Sequence, residues 1–208
     1  LCLIAAFSGI YMIYGFQDFG HIFEVAQIEG NLLSNNTWIG WLVIFGAILK
    51  SAQFPFHTWL PDTMGAPTPV SALMHAGIIN GGGYLVVRLS PVLVHTLGAL
   101  HMLAIVGALT AVYASMVMLS QTSVKRALAY STIAQMGFML LQCGLGAFHL
   151  AVLHLVAHSL YKGHAFLSCG SAVETAKKLN AKPHYAQLKP SRIWLAIGIS
   201  FAIVLGLS

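Results

Sequence analysis

Long apolar runs, repeated along most of the chain, constrain the fold more than any other feature of this sequence. A run of about 20 apolar residues is long enough for a helix to cross a bilayer. Hydrophobic residues make up 58% of the chain and charged residues only 7%, whereas soluble domains carry about 25% charged residues. We therefore predict an all-α, polytopic transmembrane helical bundle. Its seven predicted membrane segments are 1–16, 38–60, 67–89, 93–119, 123–143, 145–169 and 192–208.

The chain begins and ends within apolar runs, and its first residue is Leu1 rather than a methionine. We therefore expect residues 1–208 to form part of a larger transmembrane domain, with the first and last segments truncated. Residues 1–16 lack the basic region that opens a signal peptide, so this run is interpreted as a membrane segment.

Charge is distributed unevenly between the predicted loops. Residues 17–37 contain three acidic residues and no Lys or Arg, whereas residues 171–192 contain five basic residues against one acidic residue. The positive-inside rule places the first loop outside and the second in the cytoplasm, and counting the crossings between them gives the same answer. The net charge of +5 therefore indicates membrane orientation rather than nucleic-acid binding. The basic cluster is Lys177, Lys178, Lys182, Lys189 and Arg192.

A lysine and a proline interrupt the second segment. Lys50 comes about 12 residues into this run, which places it near the middle of a bilayer. Pro55 cannot donate a backbone hydrogen bond, and its ring crowds the carbonyl of Ser51. We therefore predict a discontinuous helix, broken between Ser51 and Trp59, as in the ion pathways of transporters. The alternative is a lysine that anchors a helix end at the membrane interface.

Further polar residues follow the predicted break. His57 and Asp62 flank it and could face water, although Asp62 could equally cap the next turn as a surface residue. His75 and Asn80 lie in the following segment. An amide inside a spanning helix has to find a hydrogen-bond partner.

The polar row, as we name His154, His158 and Lys162, lies in segment 145–169. Its members are four residues apart, so a helix places them on one face. Because histidine titrates near neutral pH, such a face could carry protons. The alternatives are metal or haem ligation by the two histidines, and histidines that serve only structure. No Asp or Glu lies on this face and no HExxH motif is present.

Lys125 allows two interpretations. If its helix begins near Ser120, Lys125 and Arg126 anchor the cytoplasmic end. If the helix begins earlier, Lys125 is drawn into the bilayer beside the polar side chains of residues 130–135.

Three sequence blocks resemble the antiporter-like membrane subunits of respiratory complex I and of multi-subunit Na⁺/H⁺ antiporters. The blocks are KSAQFPFHTWLPDTMGAPTPVSALMHA, KRALAYSTIAQMGFMLL and FHLAVLHLVAHSLYKGHAFLSCGS, and the resemblance covers residues 38–171. It implies that Lys50 is a central proton-transfer residue in a discontinuous helix. It also implies that Lys125, His154 and His158 continue a hydrophilic axis, and that a glutamate upstream of Leu1 pairs with Lys50.

Two stretches depart from the usual complex I pattern. The chain has HAGIINGGGY after the second block and AVETAKKLNAKPHYAQLKPSR after the third. Both resemble the membrane subunits of two-component inorganic-carbon accumulation systems in bacterial inner membranes. This resemblance implies that H⁺ or Na⁺ movement drives CO₂ hydration in a partner similar to a zinc β-carbonic anhydrase. Zinc is then expected in the partner, and this chain is expected to hold no cofactor, metal or catalytic centre.

Other hypotheses remain open at this stage. The chain could be a proton-pumping subunit of complex I or part of an Mrp-type Na⁺/H⁺ antiporter. It could also be a histidine-ligated membrane redox enzyme, or a structural scaffold without a working channel. Copurification with a zinc protein, or with a flavin and iron–sulfur assembly, would separate the first interpretations.

Overall fold

The computed structural model describes residues 1–14 and 37–179, with side chains described over 1–12 and 37–169. The chain divides into two compact units, residues 1–172 and 173–208. Every regular element of the described part is helical. The helices are α1 (Cys2–Tyr14), α2 (Thr37–Lys50), α3 (Trp59–Asp62), α4 (Thr68–Ala76), α5 (Gly81–Arg88), α6 (Ser90–Leu93), α7 (Leu97–Leu119), α8 (Val124–Gly144) and α9 (Phe148–Leu179), with 3₁₀ turns at Thr63–Gly65 and Ile78–Asn80.

The helices follow the predicted segments closely where the structure describes them. Thr68–Arg88 and Leu97–Leu119 are each long and apolar enough to cross a membrane, and Cys2–Met12 and Thr37–Lys50 are shorter apolar helices. The predicted segment 192–208 and the outer loop 17–36 lie outside the described residues. Most of the basic cluster does so too, and the side chains of Lys177 and Lys178 are not described.

The last helix is longer than predicted. The expected segment ended at residue 169, but α9 continues to Leu179. The added stretch, GSAVETAKKL, contains one glycine, Gly170, but no proline, and six of its ten residues are the strong helix formers Ala, Glu, Lys and Leu. The start of the predicted loop at 171–192 is therefore helical.

The predicted helix break is confirmed. Helix α2 ends at Lys50 and α3 begins at Trp59, with turns between them. Pro55 lies near the middle of this interval, where its missing N–H leaves no helical hydrogen bond unmade. The interval therefore frees backbone polar groups directly beside the lysine.

Local hydrogen bonds hold the end of α2. Ala52 has a positive φ of 49°, and the N–H of Gln53 donates to the carbonyl of Ile48 at 3.2 Å. Helices commonly end in this way, with one residue in the left-handed conformation and the next N–H bonded to the carbonyl five residues earlier. The buried Gln53 side chain donates through Nε2 to the carbonyl of Ser51 at 2.8 Å, so a carbonyl left over by the break is satisfied.

A second irregularity lies beside the first. Helices α4 and α5 are joined by the 3₁₀ turn Ile78–Asn80. Ser51 donates through Oγ to the carbonyl of Ile79 at 3.4 Å. Gly82 permits this approach, since a β-carbon there would lie 2.6 Å from the carbonyl oxygen of Ala47. The two broken helices therefore meet at their irregular regions.

Glycines also allow α7 and α8 to pack closely. A β-carbon on Gly107 would lie 2.6 Å from the carbonyl oxygen of Gly137, and one on Gly137 would lie 2.7 Å from that of Gly107. Small residues at a helix interface are typical of packing in membranes, where apolar burial does not drive association. The buried Ala114 continues the same interface.

Candidate functional site

Lys162 is among the largest fully buried side chains of the described residues, with no exposed surface. Its Nζ donates to Ser131 Oγ at 2.7 Å and to the carbonyl of Leu128 at 3.3 Å, both on α8. The Tyr161 ring centroid lies 5.6 Å from the same atom. Only neutral groups of the described residues therefore hold this amine, and Asp62, the single carboxylate whose side chain the structure describes, is exposed.

The polar row forms one face of α9, as predicted. His158 is 3% exposed, and its ring centroid lies 6.3 Å from that of the half-buried His154. His154 Nδ1 lies 3.2 Å from Gln142 Oε1 at the end of α8. His158 also interacts electrostatically with Lys162. The row is thus a connected set of ionisable groups inside the helix bundle.

His75 joins the polar row from α4. It is fully buried, and its ring stacks on that of Phe166 with centroids 4.5 Å apart. It interacts electrostatically with Lys162 and with His158. Neither ring nitrogen of His75 or His158 has a hydrogen-bond partner among the described residues. Buried polar atoms in proteins are normally bonded to protein or to ordered water, so these ring nitrogens lack the partners that such atoms usually have.

Lys50 lies at the other end of the site. Its side chain is exposed, and no described residue forms a hydrogen bond with it. Its Cε lies 3.5 Å from where a β-carbon of Gly81 would be. The lysine stem therefore runs along the start of α5, next to the 3₁₀ turn.

The Asn80 side chain is hydrogen-bonded, as an amide in a spanning helix requires. Its Nδ2 donates to the carbonyl of Ala76 and to Ser159 Oγ, each at 2.7 Å. Ser159 follows His158 on α9. The amide therefore connects the turn beside Lys50 to the helix that carries the polar row.

Lys125 lies at the beginning of α8 and is half-buried. Its Nζ donates to the carbonyl of Ala66 at 3.2 Å. Because α8 begins at Val124, the lysine is in the first turn. This position favours the interpretation of Lys125 as an anchor at the helix end.

The expectation that His57 faces water is wrong. It is 6% exposed and packs among the rings of Phe54, Tyr113 and Tyr130. Tyr113 and Tyr130 come from distant positions in the sequence, so the hydropathy of the stretch around His57 does not reveal its burial. Asp62 is exposed, as expected, but its side chain makes no capping hydrogen bond to the following 3₁₀ turn.

One cavity borders the polar row, and a second lies beside Ser131, which accepts a hydrogen bond from Lys162. One, of 310 Å³, is lined by residues that include Gln135, His154 and His158. The other, of 320 Å³, is lined by residues that include Ser131 and extends to Gln121 at the end of α7. Tyr161 lines both cavities.

Metal ligation by the histidines gains no support from the geometry. In the part of the chain that the structure describes, no three His, Cys, Asp or Glu side chains converge as metal ligands do.

Sequence reasoning missed two side chains that position the row. Gln142 bonds to His154, and Ser159 bonds to Asn80. The signal for Gln142 is an amide within an otherwise apolar stretch. A helical serine such as Ser159 gives little signal, since its hydroxyl can bond to the carbonyl four residues earlier, as it does here to Leu155 at 2.8 Å.

Comparison with known proteins identifies the family. Residues 1–206 match the family described as NADH:quinone oxidoreductase/Mrp antiporter, transmembrane. The chain belongs to this family. It is therefore an antiporter-like membrane protein, and the resemblance seen in the three sequence blocks is confirmed.

Similar curated proteins include inorganic carbon transporter subunits. The chain is 46% identical to the probable inorganic carbon transporter subunit DabB1 of Halothiobacillus neapolitanus, over 98% of this chain and 39% of that protein. It is 44% identical to the probable subunit DabB of Hydrogenovibrio crunogenus, over 99% of this chain and 40% of that protein. The chain thus spans about two fifths of the length of these relatives.

Other relatives belong to respiratory-type complexes. The chain is 37% identical to the chloroplastic NAD(P)H-quinone oxidoreductase subunit 5 of Nymphaea alba, over 85% of this chain and 24% of that protein. Among solved structures, the Mrp complex from Dietzia sp. matches with a TM-score of 0.74 and 34% identity, covering 85% of this chain and 20% of that chain.

Proposed function

We propose that this chain is part of the ion-translocating membrane subunit of a bacterial inorganic-carbon transporter. The identities of 46% and 44% to DabB proteins support the assignment. The observation that carries the mechanism is Lys162, an amine fully buried in an antiporter-like bundle, in line with two histidines. Ionisable groups inside a membrane protein are energetically costly and mark ion or proton pathways.

The ion is a proton in this proposal. The ammonium of Lys162 repels a bare metal cation at close range, and imidazole nitrogens can take up and release protons near neutral pH. The proton pathway comprises Lys50, His75 and the polar row, with Lys125 at its cytoplasmic approach. A glutamate from another segment of the longer protein pairs with Lys50, as the family resemblance implies.

Proton movement then energises a partner. The partner is a soluble, DabA-like subunit that resembles a zinc β-carbonic anhydrase and hydrates CO₂ in one direction. The membrane subunit lies in the bacterial inner membrane, with residues 171–192 in the cytoplasm, and supplies no zinc ligands of its own.

Copurification tests this proposal. The full-length protein containing this chain is solubilised in mild detergent and purified by an affinity tag, and the copurified proteins are identified and analysed for zinc. A stoichiometric zinc protein, together with inorganic-carbon accumulation by cells that express both, is the expected result. A flavin and iron–sulfur assembly in its place would contradict the assignment.

The second candidate is an antiporter-like subunit of a quinone oxidoreductase or of an Mrp-type complex. The 34% identity and TM-score of 0.74 to the Mrp complex favour it as the alternative. It uses the same proton pathway but a different partner, so the copurification distinguishes the two.

A further inference from the structure

Asn80 lies where the two ends of the proposed pathway meet. On one side it precedes Gly81, along which the Lys50 stem runs. On the other side its amide bonds to Ser159, which follows His158 on α9. The side chain is 5% exposed, so it lies inside the bundle rather than on its lipid surface.

Both hydrogens of the Asn80 amide have defined acceptors. In a regular helix the carbonyl of Ala76 would accept the N–H of residue 80, but that N–H donates instead to Gly77 at 3.0 Å. The Asn80 side chain replaces the missing backbone donor, at 2.7 Å from the Ala76 carbonyl. The second hydrogen points to Ser159 Oγ. These two bonds fix which end of the amide is nitrogen.

The same two bonds fix the position of the amide oxygen. Asn80 Oδ1 is buried, and no described residue donates a hydrogen bond to it. His75 precedes Ala76 and His158 precedes Ser159, the two residues that the Asn80 amide contacts, and the ring nitrogens of both histidines also lack partners among the described residues. A buried acceptor of this kind normally bonds to an ordered water when the protein supplies no donor.

We propose that Asn80 is a positioning residue for proton transfer between Lys50 and the polar row. Its Oδ1 accepts a hydrogen bond from a water that spans the interval. The Lys50 ammonium releases one proton to this water, which passes one proton to an unprotonated ring nitrogen of His158, leaving a neutral amine and an imidazolium. The reverse transfer restores both groups, and the Asn80 amide itself neither gains nor loses a proton. This inference rests on the proposed proton pathway.

Three variants of the full-length protein, assayed with its partner in sealed membrane vesicles, test this role. Asn80→Leu has the same branched shape but no acceptor, and proton-driven transport should fall about tenfold or more. Asn80→Gln keeps both the amide donors and the acceptor oxygen, one methylene further from the backbone, and should retain a higher rate than Asn80→Leu. Ser159→Ala removes one bond that orients the amide, so a loss of about two- to threefold is expected. Ser115→Ala, an exposed helical serine with the same type of backward bond at 2.7 Å, is the matched control.

The solvent isotope effect separates a transfer role from a structural one. If Asn80 positions the transferring water, the ratio of rates in H₂O and D₂O should rise in Asn80→Leu, whereas a loss of folded protein lowers both rates equally. If Asn80→Leu does not accumulate in membranes, Asn80→Val takes its place with the same expected loss. A wild-type rate in either apolar variant overturns the proposal, and so does an Asn80→Gln variant whose rate falls as far as that of the apolar ones.

Lys162→Met in the same vesicles distinguishes failure of this inference from failure of the proposed function. If Lys162→Met transports normally, the proton pathway itself is wrong. If Lys162→Met is inactive while Asn80→Leu transports with a wild-type isotope effect, the pathway stands and Asn80 has no part in it.

Discussion

Replacing Lys162 with methionine should abolish transport while leaving the fold intact. The side chain is fully buried, and methionine matches its length without a charge or a donor. Because a buried charge is removed together with its desolvation penalty, such replacements are often neutral for stability. The pathway, by contrast, loses an ionisable group for which no described neighbour can substitute.

The structure sets the size of the stability effect. The carbonyl of Leu128 loses Lys162 but still accepts Thr132 Oγ1 at 3.0 Å. The hydroxyl of Ser131 can turn back to a carbonyl of its own helix. No buried acceptor is therefore stranded, and the free energy of unfolding should change by about 1 kcal/mol or less. Transport should fall about 100-fold or more, as for the loss of a group that transfers protons.

The assay compares transport rate with thermal stability of the purified complex. His164→Ala is the control, since His164 lies on the same helix but is exposed. It should transport as wild type does. If Lys162→Met retained half of the wild-type rate at unchanged expression, Lys162 would not lie on the pathway. If Lys162→Met instead unfolded, the hydrogen bonds from Lys162 to α8 would contribute more to stability than the roughly 1 kcal/mol or less given above.

Three further predictions concern the helix break and the packing around it. Lys50→Ala and Lys50→Arg should both lose proton-driven transport while inserting normally, because a guanidinium stays charged and cannot release its proton; a wild-type rate in Lys50→Arg would show that a fixed charge suffices. Gly137→Ala should lower the stability of the complex by about 1–3 kcal/mol in thermal melts, because its β-carbon would lie 2.7 Å from the Gly107 carbonyl oxygen. Gly65→Ala is the control and should melt as wild type does, because a β-carbon at Gly65 would have no atom within 4 Å. Thr110→Val should lower the free energy of unfolding by about 1 kcal/mol, because the Phe54 N–H donates to Thr110 Oγ1 at 3.1 Å. Thr110→Ser keeps the hydroxyl and should melt as wild type does. Equal melting of the Val and Ser variants would show that this bond does not hold the break.

The sequence predicts the parts of this site that depend on local rules. The break after Lys50 follows from the chemistry of Pro55, and the shared face of the polar row follows from four-residue spacing. Both are properties of single segments. The end of α2 at a left-handed alanine could not be predicted, because glycine is the usual residue at such a position.

Contacts between residues far apart in the sequence could not be predicted from it. Lys162 and Ser131 are 31 positions apart, and Asn80 and Ser159 are 79 apart. Such pairs depend on how the helices cross, which periodicity within one segment does not determine. The burial of His57 was missed for the same reason, since Tyr113 and Tyr130 reach it from α7 and α8.

The identity of the driving ion tests the account most directly. The full-length protein and its partner are reconstituted in sealed vesicles, and uptake of isotope-labelled bicarbonate is followed under a pH gradient without Na⁺, then under a Na⁺ gradient at uniform pH. The account predicts uptake under the pH gradient alone, lost in Lys162→Met. Uptake driven by the Na⁺ gradient alone, unchanged in Lys162→Met, would contradict a proton pathway through the polar row.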